Sequence, residues 1–288
     1  MAKKIYGRAI QSACPGRRKV LSESDSRSLL QGAPIIQVRT GGTVTHHRRR
    51  EMHKRIVIFA LSFVLMVVSS SFAHDFWVEK AGTTLKVVYG HGAQRLPYDP
   101  STIKDVRGFD GQGKEIQVAV EKKKDGALLV PKGEAAVITM MVDDGFWVKT
   151  IMGLKKMSKR QAGKRVIDAY QAMDCSKAVL AWGEAVGKPL GLKLEIVPLQ
   201  NIFEVKAGQK LPVKVLLDGE PLANVEVESV EHTRTAKTDA RGIAEVPLSG
   251  EGLKVITARH RLPLKGNPDA DSLKLTATLT FGEKGGGK

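Results

Sequence analysis

Two histidines bound the run HDFWVEKAGTTLKVVYGH, His74 at its start and His91 at its end. His74 directly follows Ser71, Phe72 and Ala73, where small residues at −3 and −1 have the form of a signal-peptidase site. A cut before His74 leaves it with a free α-amine beside its imidazole. Those two nitrogens can close a chelate ring on one metal ion, which a mid-chain histidine cannot do. Nitrogen donors of this kind suit nickel, cobalt, copper or zinc rather than magnesium or calcium. Asp75, Tyr98 and Asp99 lie close in sequence as oxygen ligands or as supports for the ligands. His232 and His260 are secondary candidates that also read as surface or packing residues. Cys175, beside Asp174, is either a soft ligand or a structural thiol. The plain alternatives stay open too: His91 as a turn residue between Gly90 and Gly92, and His74 as a histidine that happens to follow a cleavage site.

Whether His74 and His91 can meet depends on the element that carries them. Phe76 to Glu79 and Thr84 to Tyr89 alternate as strands and flank Lys80-Ala81-Gly82-Thr83, a hairpin signature. With the turn near Gly82, residues whose numbers sum to about 163–165 face each other. His74 then lies opposite Tyr89 to His91.

The rest of the chain supplies the scaffold. Thr102 to Asp110, Glu115 to Glu121, Ala127 to Val130, Ala135 to Asp143 and Gly145 to Met152 are short β-type runs separated by turn residues. Residues 153–176 break this rhythm and read as a short helical or irregular insertion, with Ser158 and Gln161 spaced as a capping box. Lys177 to Trp182 and Leu192 to Val197 resume strand character. Further on, Lys210 to Leu217, Val225 to His232, Ile243 to Pro247 and Leu253 to His260 are punctuated by Asp218-Gly219-Glu220-Pro221 and Thr238-Asp239-Ala240-Arg241-Gly242. Leu273 to Phe281 alternates as a half-buried last strand. The expected architecture is mostly β: two tandem β-sandwich domains of immunoglobulin or transthyretin type, over residues 74–199 and 200–282, with a loose tail at 283–288.

Met52-His53-Lys54-Arg55, the thirteen-residue apolar core Ile56 to Val68 and the small-residue end read as a secretory signal over 52–73. A membrane span needs roughly 17–25 residues, so no span is expected after cleavage. Residues 1–51 read as a non-native or disordered extension upstream of a start at Met52. The net charge of +16 is concentrated there: residues 1–73 hold 13 Lys and Arg against 3 Asp and Glu, leaving 33 against 27 downstream. The mature surface is therefore only mildly basic, and no stacking aromatics accompany the charge, which argues against nucleic acid as a partner. Of the two cysteines only Cys175 survives processing, so no internal disulfide forms. An exported chain without disulfides fits a bacterial periplasm.

In order, HDFWVEK, YGHGAQRLPYDP, LGLKLEIVPLQN, LLDGEPLANVEV, TDARG, GLKVITARH and DSLKLTATLTF resemble an exported bacterial family catalogued as a domain of unknown function and linked to nickel and cobalt uptake. The likeness covers residues 74–282. Ile202 after Asn201, where proline is expected, and the lack of tryptophan in the GLKVI strand depart from the pattern. The resemblance implies a periplasmic component that hands nickel or cobalt to a membrane transporter. An enzyme is not expected, since no HExxH, nucleophile elbow, P-loop or dinucleotide fingerprint occurs. Two other readings compete: a metal-free structural or interaction module, and a copper redox protein with an N-terminal histidine brace.

Overall fold

A computed structural model describes residues 74–82, 84–206, 208–229, 235–248 and 252–282. The expected extension at 1–51, the export signal at 52–73, His232 and the tail at 283–288 lie outside the described residues. In chain order the first half forms β1 (Asp75–Ala81), β2 (Thr84–His91), β3 (Gln94–Leu96), β4 (Ile103–Phe109), β5 (Glu115–Ile116), β6 (Val118–Lys123), β7 (Gly126–Pro131), β8 (Val137–Thr150), β9 (Gly153–Lys156), helix α1 (Lys159–Ala162) and β10 (Asp168–Val179). The second half forms β11 (Leu194–Pro198), β12 (Lys210–Leu217), β13 (Glu220–Pro221), β14 (Glu226–Ser229), β15 (Thr235–Lys237), β16 (Ile243–Pro247), β17 (Lys254–Pro263) and β18 (Ser272–Phe281). The fold is mostly β, in largely antiparallel sheets of sandwich type. Among the described residues, no helix is long and apolar enough to cross a membrane.

The strands form three sheets. The order β15-β14-β17-β18-β10-β8-β4-β5 gives a nine-stranded sheet, with β9 added beside β8. β1-β2-β7-β6, with β3 beside β2, forms a five-stranded sheet, and β11-β12-β13 with β16 a four-stranded one. Side chains on adjacent residues of a strand point to opposite faces. On β8, Ile138, Met140 and Val142 join Phe76, Val78, Leu85, Val87 and Leu129 in one core, while Val137, adjacent to Ile138, joins the other. On β18, Leu273, Leu275, Ala277, Leu279 and Phe281 face that second core, against Leu194, Ile196, Leu211, Val213, Val215 and Val246. The large sheet is thus covered on both faces. The two sandwiches expected to follow one another share this sheet, which crosses residue 200 through the parallel pairing of β10 with β18.

Three local expectations change. β18 is buried along nearly its whole length because both of its faces are covered, so its alternation separates two interiors rather than an interior from solvent. Two of its three threonines bond across to β1: Thr278 donates to Phe76 O at 2.9 Å and Thr280 to Val78 O at 3.2 Å. Asp143-Asp144-Gly145 does not end a strand. β8 runs through it with a register shift opposite Ala172 and Met173, Gly145 takes φ +78°, and Asp143 Oδ1 accepts from Gly145 N at 3.0 Å. The insertion expected at 153–176 shrinks to β9 and the four-residue α1. The capping box of Ser158 and Gln161 is present as expected, but residues 168–176 belong to β10, near the middle of the nine-stranded sheet.

Candidate functional site

The β1–β2 hairpin has the register the turn demands. Ala81 pairs with Thr84, Glu79 with Lys86, Trp77 with Val88 and Asp75 with Gly90, each pair summing to 165. The pairing ends at Asp75 and Gly90, and His74 and His91 are the next residues outward on either side. The β2–β3 turn completes the end: His91 pairs with Gln94 across Gly92, which has φ +54°. His74 Nε2 lies 3.3 Å from Gln94 Oε1, and its ring centroid is 5.5 Å from that of Tyr89. Gly90 is required by close approach, since a Cβ there would stand 2.0 Å from Gln94 O. Arg95 anchors the same turn, donating to Gly92 O at 2.6 Å, lying over the Trp77 ring at 4.8 Å and pairing with Glu79.

The oxygen candidates are engaged elsewhere. Asp75 is buried, and Arg259 Nη2 donates to its Oδ2 at 2.6 Å, while Arg259 Nη1 reaches Glu228 Oε2 at 2.8 Å. Asp99 caps the 3-10 turn Pro100–Thr102, accepting from Ser101 N at 2.9 Å and Ser101 Oγ at 2.6 Å, and those bonds lower its pKa. The Tyr98 hydroxyl donates to Val87 O at 3.2 Å, and burial pushes its pKa up to about 12. His260 pairs with Leu275 on β17, half-buried, and alternation turns it to the face opposite that of Arg259. Cys175 is a free buried thiol whose pKa burial pushes to about 11, an inert state at neutral pH. Among the described residues, no group of three or more His, Cys, Asp or Glu side chains is placed to hold a metal ion.

Beneath the hairpin start lies an ionisable layer that spacing in the sequence does not reveal. Asp174 on β10 is buried and takes a hydrogen bond from the Phe76 backbone N–H. Burial first, and then the charges of Asp75 and Asp144, push its pKa well above the usual carboxylate range. Asp144 accepts from Trp147 Nε1 at 3.0 Å and from Lys156 Nζ at 2.6 Å. Tyr89 is pushed upward by its burial and then by Asp144 and Asp174. Lys274 is pulled down by burial and by Arg259, and its ammonium lies 5.4 Å from the Tyr170 ring centroid. These groups come from β1, β2, β8, β10, β17 and β18, so only the folded sheet brings them together.

A sandwich-type β fold whose first strand sets two histidines at one hairpin end is the class defined so far. The chain belongs to the family described as Domain of unknown function (DUF4198), whose model matches residues 71–262. No curated protein and no solved structure matches it.

Proposed function

We propose that the chain is exported to the periplasm, cut before His74, and binds a transition-metal ion at its new N-terminus. The hairpin register carries this reading, because it sets His74 and His91 at the same end of two paired strands. The α-amine and the Nδ1 of His74, the ring nitrogen nearer the backbone, chelate the ion, and His91 supplies a third nitrogen. Gln94 sits at His74 Nε2, the nitrogen left over, where a hydrogen-bond partner fixes the ring orientation and tautomer. The choice of nickel or cobalt, and delivery to a membrane transporter, rest on the resemblance to exported proteins linked to uptake of those metals.

Calorimetry with Ni, Co, Cu and Zn tests the site. A protein starting at His74 binds at least about tenfold tighter than one with Gly-Ser added before it, a difference of about 1.4 kcal/mol. His91→Ala weakens binding further. Equal affinities with and without the added residues overturn the chelate.

A further inference from the structure

The β8–β9 hairpin ends in a tip that does not bury its apolar side chains. Ile151 is 77% exposed and Met152 80%, with Leu154 at 50% and Ile167 at 61% beside them. These are four of the eight exposed large apolar residues among the described ones, gathered within one hairpin and the first residue before β10. Lys149 pairs with both Leu154 and Asp168. By alternation Leu154 and Ile167 then lie on opposite faces of the sheet, with the tip between them. The apolar surface therefore wraps the tip instead of forming one face.

The tip is also prepared to leave water. Thr150 Oγ1 donates to Gly153 O at 3.2 Å and accepts from Met152 N at 3.1 Å, so its own side chain satisfies the turn's backbone. Along its own segment the charge is of one sign: residues 149–165 hold seven Lys and Arg and no Asp or Glu, and Asp168, the register partner of Lys149, is held by Arg261 at 2.8 Å. Three of these are neutralised, Lys156 by Asp144, Lys159 by Asp271 and Arg160 by Asp269. Lys149, Lys155, Lys164 and Arg165 are exposed, and among the described residues none of them forms an ion pair.

We infer that this tip docks the protein on an anionic phospholipid surface, with Ile151 and Met152 entering the headgroup boundary and the four unpaired cations above them meeting lipid phosphates. A protein groove meets one face of a hairpin, whereas a lipid boundary accepts apolar groups from every side. Each cation near such a surface contributes about a fivefold gain in partitioning. The apolar insertion adds to it independently of charge.

The test uses protein made from the full-length chain and vesicles of phosphatidylcholine alone or mixed with phosphatidylglycerol. Co-sedimentation is about tenfold or more stronger on the mixed vesicles. Ile151→Ser with Met152→Ser lowers binding to them roughly tenfold. Lys155→Gln with Lys164→Gln removes most of the preference for phosphatidylglycerol and leaves the residual binding to phosphatidylcholine unchanged. Any contribution from the apolar run 56–68 is common to all variants, so the hairpin's share is the difference between them. All four positions are exposed, and an unaltered melting curve verifies that the variants fold. Equal binding to both vesicle types, or serine variants that bind as the unaltered protein does, overturns the inference. So does a photo-crosslinker at Met152 that captures protein while vesicles are not bound. Metal titration of the serine variants is unchanged, which keeps this test separate from that of the histidine pair.

Discussion

Arg259 Nη2 donates to Asp75 Oδ2 at 2.6 Å, joining the first strand to the penultimate one across 184 positions of sequence. The same guanidinium holds Glu228 at 2.8 Å, so it bridges two carboxylates where the hairpin meets the nine-stranded sheet. Removing one partner from a shielded pair costs more than the pair contributes, because it strands the other charge. Arg259→Met is therefore expected to destabilise the protein by about 3 kcal/mol, read from urea unfolding. Asp75→Asn added to Arg259→Met recovers part of that loss. A double variant that adds the two single losses in full would show that the bond carries no coupling.

Lys177 and Glu195 form a second pair on the other face of the same sheet, 2.7 Å apart with side-chain exposures of 1% and 2%. Glu195 also accepts from the backbone N–H groups of Leu190, Gly191 and Leu192, and Lys177 donates to Lys188 O. The carboxylate thus organises the loop before β11 as well as neutralising the lysine. Glu195→Ala strands a buried ammonium and three amides, whereas Lys177→Met leaves the carboxylate its three amide donors. We predict a loss of about 4 kcal/mol or more for Glu195→Ala, and a smaller one for Lys177→Met. Denaturant midpoints in that order support the assignment, and the reverse order refutes it.

The parts of this architecture that were legible in the sequence are the local ones. The hairpin register followed from a Gly-containing turn between two alternating runs, and Asp218-Gly219 marked a two-residue turn in which both residues take positive φ, 49° and 85°. The capping box at Ser158 and Gln161 was equally local. Of β10 only the end, from Lys177, was legible, because its polar residues occur on both faces: Asp174 and Ser176 point toward the five-stranded sheet, Lys177 toward Glu195. A strand covered on both sides shows no solvent-facing period. Asp143-Asp144-Gly145 carried every mark of a turn and is a bulge, since a glycine at positive φ serves either structure. The ionisable layer had no spacing signal at all, because Asp75, Asp144, Asp174 and Arg259 lie on four strands far apart in the chain.

Asp174 gives the layer a pH signature. Its folded-state pKa is raised by burial and by Asp75 and Asp144, above the unfolded value. A raised pKa means the folded state holds the proton more tightly. The stabilisation is complete below the unfolded pKa of about 3.9 and is lost as pH rises through the folded value. Asp174→Asn keeps an oxygen acceptor for the Phe76 N–H but does not titrate. The stability of the unaltered protein relative to Asp174→Asn is therefore expected to fall from acid toward neutral pH, in paired unfolding curves across that range. A difference independent of pH would mean that Asp174 ionises as an ordinary carboxylate.

Gly90 links the hairpin to the histidine end. Its missing side chain lets the Gln94 carbonyl approach to where a Cβ would stand only 2.0 Å away, and backbone at that distance cannot yield as a flexible side chain can. Gly90→Ala must therefore push β3 off β2, carrying Gln94 away from His74 and breaking the pairing of His91 with Gln94. The main core lies deeper, around Val87, Leu85 and Val78, so the chain still folds, at a cost of about 2 kcal/mol. On the metal-binding reading, the variant loses the support at His74 Nε2 and binds about tenfold more weakly or worse, the range for losing a partner that orients a ligand. Gly92→Ala is the control: a Cβ there meets nothing within 4 Å, and only the positive φ of 54° opposes it. Calorimetry on both variants separates the two effects, and equal metal affinity in Gly90→Ala and the unaltered protein would show that Gln94 has no part in holding His74.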